Sequence, residues 1–158
     1  MLSFFEVPVA LVRLPAAAAG RTCVGAGAAA AEAGEPVAAV GDSFVVHMDR
    51  EALNDYPLGH YDVTVTITAL VPDREIAWTV TGRIRPQIGH VYGYLLKPAG
   101  QDGTLVTSYY DWSSIDPHWR DAGIFPVISQ GALRATLGIL ARTVARGYVG
   151  APPTMPRS

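Results

Sequence analysis

Cysteine, lysine, net charge and long apolar runs are all scarce in this chain, and each scarcity narrows what it can be. Cys23 is the sole cysteine among 158 residues, so no internal disulfide can form and no second thiol is at hand for a metal site. That usage fits a reducing compartment, and the expected location is the cytoplasm. Twelve Lys and Arg stand against fourteen Asp and Glu, a formal net charge of -2, and Lys97 is the only lysine. Without clustered positive charge there is no footprint for a phosphate backbone, so no nucleic acid partner is expected. No run approaches the roughly eighteen apolar residues of a membrane-crossing helix, so no transmembrane segment is expected. The opening MLSFFEVPVALVRL lacks a charged leader and is interrupted by Glu6 and Arg13, unlike a secretory signal. The length suits one domain with a single core and is short for two.

What is present is alternation. From Tyr61 the odd positions read Tyr61, Val63, Val65, Ile67, Ala69 and Val71, while the even ones read Asp62, Thr64, Thr66 and Thr68. Period two with one dry face and one wet face is the mark of an antiparallel strand covered on one side. Pro72 and Asp73 supply a turn, after which Ile76, Trp78 and Val80 resume the apolar face, giving a long hairpin. GDSFVVHM (41–48) reads as a strand before it, and HVYGYLLKP (90–98) and TLVTSYYDW (104–112) as strands after it. Five strands joined in succession make a meander over 41–112.

The period then changes. After the irregular segment 113–126, Leu133, Leu137, Leu140 and Val144 fall at i, i+4, i+7 and i+11, one stripe of an amphipathic helix expected over 127–147. Pro126 suits its entrance, Gly147 its C-terminal cap, and Arg142 and Arg146 its last turns. Gly131, Ala135 and Gly138 form a second stripe, of small residues, readable as room for a close backbone or a ligand, or as composition bias. The tail 150–158 is expected to fray. One apolar sheet face and one amphipathic helix define an α+β layout with the helix across that face.

GDSFVVHM, VTVTITALVPDREIAWTV, YLLKPAGQDGTLVTSYYDWS and ALRATLGILARTV together resemble the polyketide cyclase/dehydrase and lipid-transport family of the START-like (SRPBCC) superfamily, over roughly residues 38–149. The resemblance implies the helix-grip fold, a curved antiparallel sheet wrapped around a long C-terminal helix with a cavity for a hydrophobic molecule between them. It implies a single START-like domain over 1–158, whose first forty residues are atypical. SFFEVPVALVRL serves as the family's first strand, but the Ala/Gly-rich PAAAAGRTCVGAGAAAAEAGEP bears no likeness to the two short helices that follow in relatives.

With Lys97 pointing outward, alternation turns His90, Tyr92, Tyr94 and Leu96 inward. Three such polar-tipped rings in succession are costly to bury unless each finds a partner, so they mark either a site for a hydrogen-bonded ligand or a core whose polar tips bond to backbone. Val106, Ser108 and Tyr110 share that face, unless a one-residue slip after AGQDG exchanges them for Thr107, Tyr109 and Asp111. The candidate ligand-binding residues are therefore Trp78, His90, Tyr92, Tyr94, Ser108, Tyr110, Trp112, Leu133 and Leu137. The 113–126 segment, with Trp119 and Phe125, either lids the cavity mouth or plugs one end of the sheet.

Three motif matches are set aside. GAGAAA at Gly25 imitates a dinucleotide fingerprint but leads into a meander, not a βαβ unit. GDSF at Gly41 imitates a hydrolase nucleophile block, yet Ser43 leads straight into a strand. His47, His60, His90 and His118 lack ligand spacing, so no metal is expected, and no cofactor either. Three functions remain open. The first is binding of a small hydrophobic molecule, polyketide-like, lipid or aromatic. The second is a cyclase/dehydrase enzyme with His90 as general base and a Tyr hydroxyl stabilising an enolate. The third is a protein-interaction module with a filled interior and an exposed apolar patch. A homodimer is an open assembly for each.

Overall fold

The computed structural model describes residues 4–12, 28–31, 37–49, 59–100 and 103–145. Seven strands form one sheet: β1 (Phe4–Val12), β2 (Ala28–Ala31), β3 (Ser43–Asp49), β4 (His60–Val71), β5 (Glu75–Thr81), β6 (Val91–Ala99) and β7 (Gly103–Asp111). Their order is β1-β7-β6-β5-β4-β3-β2, and every pairing is antiparallel. The meander is thus β3 to β7. The first strand closes back onto the last, Phe5 opposite Tyr110, and β2, from the Ala/Gly-rich segment, adds an edge beside β3. Two helices follow, α1 (Pro117–Asp121) and α2 (Gln130–Ala145).

Alternation sorts the β3–β7 side chains onto two faces. Inside lie Val46, Val65, Ile67, Trp78, Tyr94, Val106 and Tyr110, closed by Leu133 and Leu137 of α2. Each buried aliphatic side chain contributes about 2 kcal/mol of apolar transfer, so this face and the helix stripe hold each other. Helix α2 packs on β1 and β7, with Leu140 and Val144 continuing its buried stripe. The result is the α+β, helix-grip arrangement.

Three details depart from the sequence reading. First, β4 and β5 pair Ile67 with Trp78 and then Ala69 with Ala77, leaving Thr68 as a bulge. An extra residue inverts the alternation beyond it. Leu70 therefore packs on the core while Val71 is 43% exposed, reversing the inward places expected of Ala69 and Val71. Second, α2 begins at Gln130, not 127. The Ser129 hydroxyl accepts from Ala132 N at 3.1 Å and caps it, whereas Pro126 lies upstream in the connection. Gly147 and Arg146 lie outside the described residues. Third, Gly131 and Ala135 are exposed, and a Cβ on Gly131 or Gly138 would meet only a flexible side chain at 3.5 Å or more. The small-residue stripe faces away from the sheet, so it leaves no room for a ligand.

The hairpin turn behaves as expected. Asp73 takes φ 58, and Arg74 N donates to Val71 O at 3.0 Å. The Gly41–Asp42 corner is built for entry into β3: the Asp42 carboxylate accepts from Ala38 N and Ala39 N at 2.7 and 2.9 Å, which lowers its pKa.

Candidate functional site

The inner faces of β5, β6 and β7 carry rings in register. Trp78 lies opposite Tyr92, and Tyr92 opposite Tyr110; the next inward row sets Ile76 against Tyr94 and Tyr94 against Ser108. Directly opposed side chains on one face touch, so the rings form a continuous wall. Trp78 stacks on Tyr92 at 6.2 Å, Tyr92 lies 4.9 Å from Tyr110, and Tyr110 lies 5.3 Å from Trp112, while Trp78 meets Tyr94 edge-on at 5.4 Å. Leu133 and Leu137 face this wall from α2.

Within the wall sits a short polar cluster. His90 stands one residue before β6, 6% exposed, with its Nδ1 3.0 Å from the Tyr110 hydroxyl. The Tyr92 ring lies beside that of Tyr110, and each phenol influences the titration of the other. Burial is the main influence on all three groups. It lowers the His90 pKa to about 4, so the imidazole is neutral at pH 7, and it raises both phenols, which stay protonated. The cluster therefore offers uncharged donors and acceptors only.

His90 is held from several sides. The Thr79 hydroxyl donates to His90 O at 2.8 Å, and Phe125 meets the imidazole edge-on at 6.4 Å. The 112–125 segment docks beside it: Trp119 Nε1 donates to Pro86 O at 2.9 Å, Asp116 N to Ile88 O at 3.0 Å, and Ile115 is buried. Phe125 packs against the core cluster, so the segment lies against this end of the sheet.

All nine residues picked from the sequence fall within or against this interior: Trp78, Tyr94, Tyr110, Leu133 and Leu137 in the core cluster, Tyr92 and Trp112 packed on it, and His90 and Ser108 as its buried polar members. The register without the slip is the one adopted, Ser108 and Tyr110 facing in. Phe125 and Tyr61 escaped the list. Tyr61 belongs to the dry face of β4 and its charge interaction with Tyr92 raises the latter's pKa; the alternation of β4 already pointed to it.

Tyr109 enters the sequence reading only as an inward residue of the slipped register, which is not the one adopted. It points to the opposite face yet is only 8% exposed, its ring lying over Gly93 and its hydroxyl donating to Glu75 Oε1 at 2.9 Å. Burial first, and then Glu75, raise its pKa. A glycine within a strand pattern was the available signal, since it marks close approach of another group. On that outer face an open cleft of about 570 Å³ also runs between β3–β5 and the 82–87 loop, lined by Val45, Asp62, Thr64, Thr81, Arg85 and Gln87. It shares no residue with the interior wall. Among the described residues no group of three His, Cys, Asp or Glu is placed to hold a metal ion, and no helix is long and apolar enough to cross a membrane.

No protein-family model and no curated protein matches the chain. Solved structures do. An AHSA1-like protein from Aeromonas hydrophila is similar with a TM-score of 0.53 at 15% identity, over 96% of this chain and 99% of that one. A protein from Bordetella parapertussis is similar with a TM-score of 0.51 at 17% identity, over 98% of this chain and 79% of that one. The Aha1 dimer from Colwellia psychrerythraea is similar with a TM-score of 0.50 at 10% identity, over 93% of this chain and 99% of that one. Identity this low speaks for fold alone. The fold these structures share with the chain is the helix-grip arrangement that the resemblance read from the sequence implies.

Proposed function

We propose that the protein binds a small hydrophobic molecule between the sheet and α2, with His90, Tyr92 and Tyr110 setting its orientation. The observation that carries this is the buried His90–Tyr110 hydrogen bond inside an aromatic wall to which Tyr92 belongs. Buried polar groups are expensive in an apolar interior, and a core serving stability alone is as well made from Phe and Leu. Affinity would come from apolar burial and ring stacking, orientation from the hydroxyls.

A second reading, a cyclase/dehydrase, is favoured by the imidazole and phenol in direct contact, the pairing that proton abstraction with enolate stabilisation uses. The low basicity of His90 weighs against it, because a base with a pKa near 4 has little driving force at neutral pH. The dimer named for the Colwellia protein makes a homodimer a reasonable assembly here, and the single cysteine is in keeping with a cytoplasmic location.

Native mass spectrometry of the purified protein, followed by extraction, tests the binding reading. One hydrophobic adduct per chain, weakened in Tyr92→Phe/Tyr94→Phe and lost when Leu137→Trp crowds the sheet–helix interior, is expected. An empty protein that shows no thermal shift with any of a panel of lipids and aromatic polyketides would refute it.

A further inference from the structure

Among the described residues, the groups that would meet a ligand share a property that narrows its chemistry: none of them is charged. Among the described residues, the buried polar side chains are His90 and Ser108, joined by the hydroxyls of the buried Tyr94 and Tyr110 and the half-buried Tyr92. The titratable groups facing His90 are Tyr110 from β7 and Tyr92 from β6, with Tyr61 of β4 acting on Tyr92; the remaining neighbour, Phe125, carries no charge. Among the described residues, Arg120 and Asp111 are charged side chains at this end of the sheet whose partners lie away from His90: Arg120 donates to the carbonyls of Ser113 and Ile115 at 3.1 and 3.2 Å, and Asp111 accepts from Ser113 N at 2.8 Å.

An anionic headgroup brought among these rings would be stripped of water and given no cation in exchange. Neutral hydroxyls and an imidazole hydrogen-bond an anion without cancelling its charge, and an uncompensated buried charge costs several kcal/mol. A ketone, enol or alcohol oxygen has no such deficit. It can accept from a tyrosine hydroxyl or donate to an imidazole nitrogen, and the ring attached to it can stack on Trp78, Tyr92 or Trp112.

We infer that the interior site discriminates by charge, accepting an uncharged hydrophobic molecule, aromatic or aliphatic, with a carbonyl or hydroxyl oxygen and refusing the same skeleton when it carries a carboxylate or phosphate. This rests on the proposed ligand site and adds a substrate class to it. Free fatty acids and phospholipids are thereby excluded as the preferred cargo, while their alcohol counterparts remain admissible.

Equilibrium dialysis with two matched pairs tests the inference: 2-acetylnaphthalene against 2-naphthoate, and hexadecanol against hexadecanoate. At pH 7.5 the neutral member of each pair is expected to bind at least about 100-fold more tightly. Naphthoate should bind only as its neutral acid, which is about one part in a thousand at that pH, so its apparent Kd should fall about tenfold for each unit between pH 8 and pH 6. Acetylnaphthalene should show no such slope, because His90 does not titrate in that range. A carboxylate that binds as well as its neutral twin, or whose affinity is flat with pH, overturns the charge selectivity and leaves the ligand site standing. Binding by neither member of either pair overturns the ligand site, and the selectivity with it.

Discussion

Tyr109 and Tyr110 are neighbours in the chain and opposites in the fold. Both are buried phenols whose pKa is raised by desolvation, yet Tyr110 faces the helix and bonds to an imidazole, while Tyr109 faces outward and bonds to a carboxylate. The outer pair packs against backbone. Tyr109 fills the notch left by Gly93, where a Cβ would lie 2.3 Å from its Cζ, and its hydroxyl is taken by Glu75. The inner one is a link in a chain of rings that continues to Tyr92, Trp78 and Trp112 and is faced by the Leu133 and Leu137 stripe of α2. The difference teaches that burial of a tyrosine does not by itself mark a site; the partners do. A phenol bonded to a carboxylate on the outer face is read as structural, whereas the neutral His90–Tyr110 pair in an aromatic wall is where the proposed ligand would exchange for a partner.

Breaking the inner member should have the largest effect. Tyr110→Ala empties a fully buried position and is expected to cost about 4 kcal/mol of unfolding free energy in urea, together with loss of ligand binding. Next comes pH. The folded His90 pKa of about 4 lies below the usual 6.5, so the unfolded chain binds the extra proton between these values. Stability is then complete above about pH 6.5 and declines as pH falls toward 4, by about 3 kcal/mol from this residue. His90→Gln keeps a polar side chain but cannot titrate, so the difference between its pH–stability curve and that of the natural chain should show this decline.

The outer face answers differently. Gly93→Ala should cost about 2 kcal/mol by evicting Tyr109, and should cost little in a Tyr109→Ala background, a coupling that a double-mutant cycle in denaturant measures. Smallest is Tyr109→Phe, expected to lose about 1 kcal/mol with the Glu75 hydrogen bond. Neither outer change should alter ligand affinity. If either does, the separation of the two faces is wrong.

The inner face was legible in the sequence because period two survives from Trp78 through Tyr92, Tyr94 and Tyr110 without interruption, and because Lys97 anchors which side is wet. The same logic failed wherever the chain broke period without changing residue type. Ala69 and Val71 are as apolar as Val65 and Ile67, so the bulge at Thr68, which turned them outward, left no trace in hydrophobicity. The outer pair was illegible for a related reason. Tyr109 reads as a solvent-side residue, and only the coincidence that its partner across β6 and β7 is Gly93 gives it a place to lie. On α2, small size at Gly131, Ala135 and Gly138 carries no direction, and the leucine stripe, with Leu133 and Leu137 buried, decided which way they face. Who meets whom, His90 with Tyr110 or Trp119 with Pro86, depends on loop paths that no periodicity encodes.

The most direct test of an inner ligand site set apart from an outer structural face is NMR of the protein with tyrosine and tryptophan rings labelled, titrated with 2-acetylnaphthalene. The account predicts saturable shifts at Tyr92, Tyr110, Trp78 and Trp112, with Tyr109 unmoved. Shifts confined to Tyr109, or to the backbone amides of Val45, Thr64 and Thr81 along the outer cleft, would contradict it.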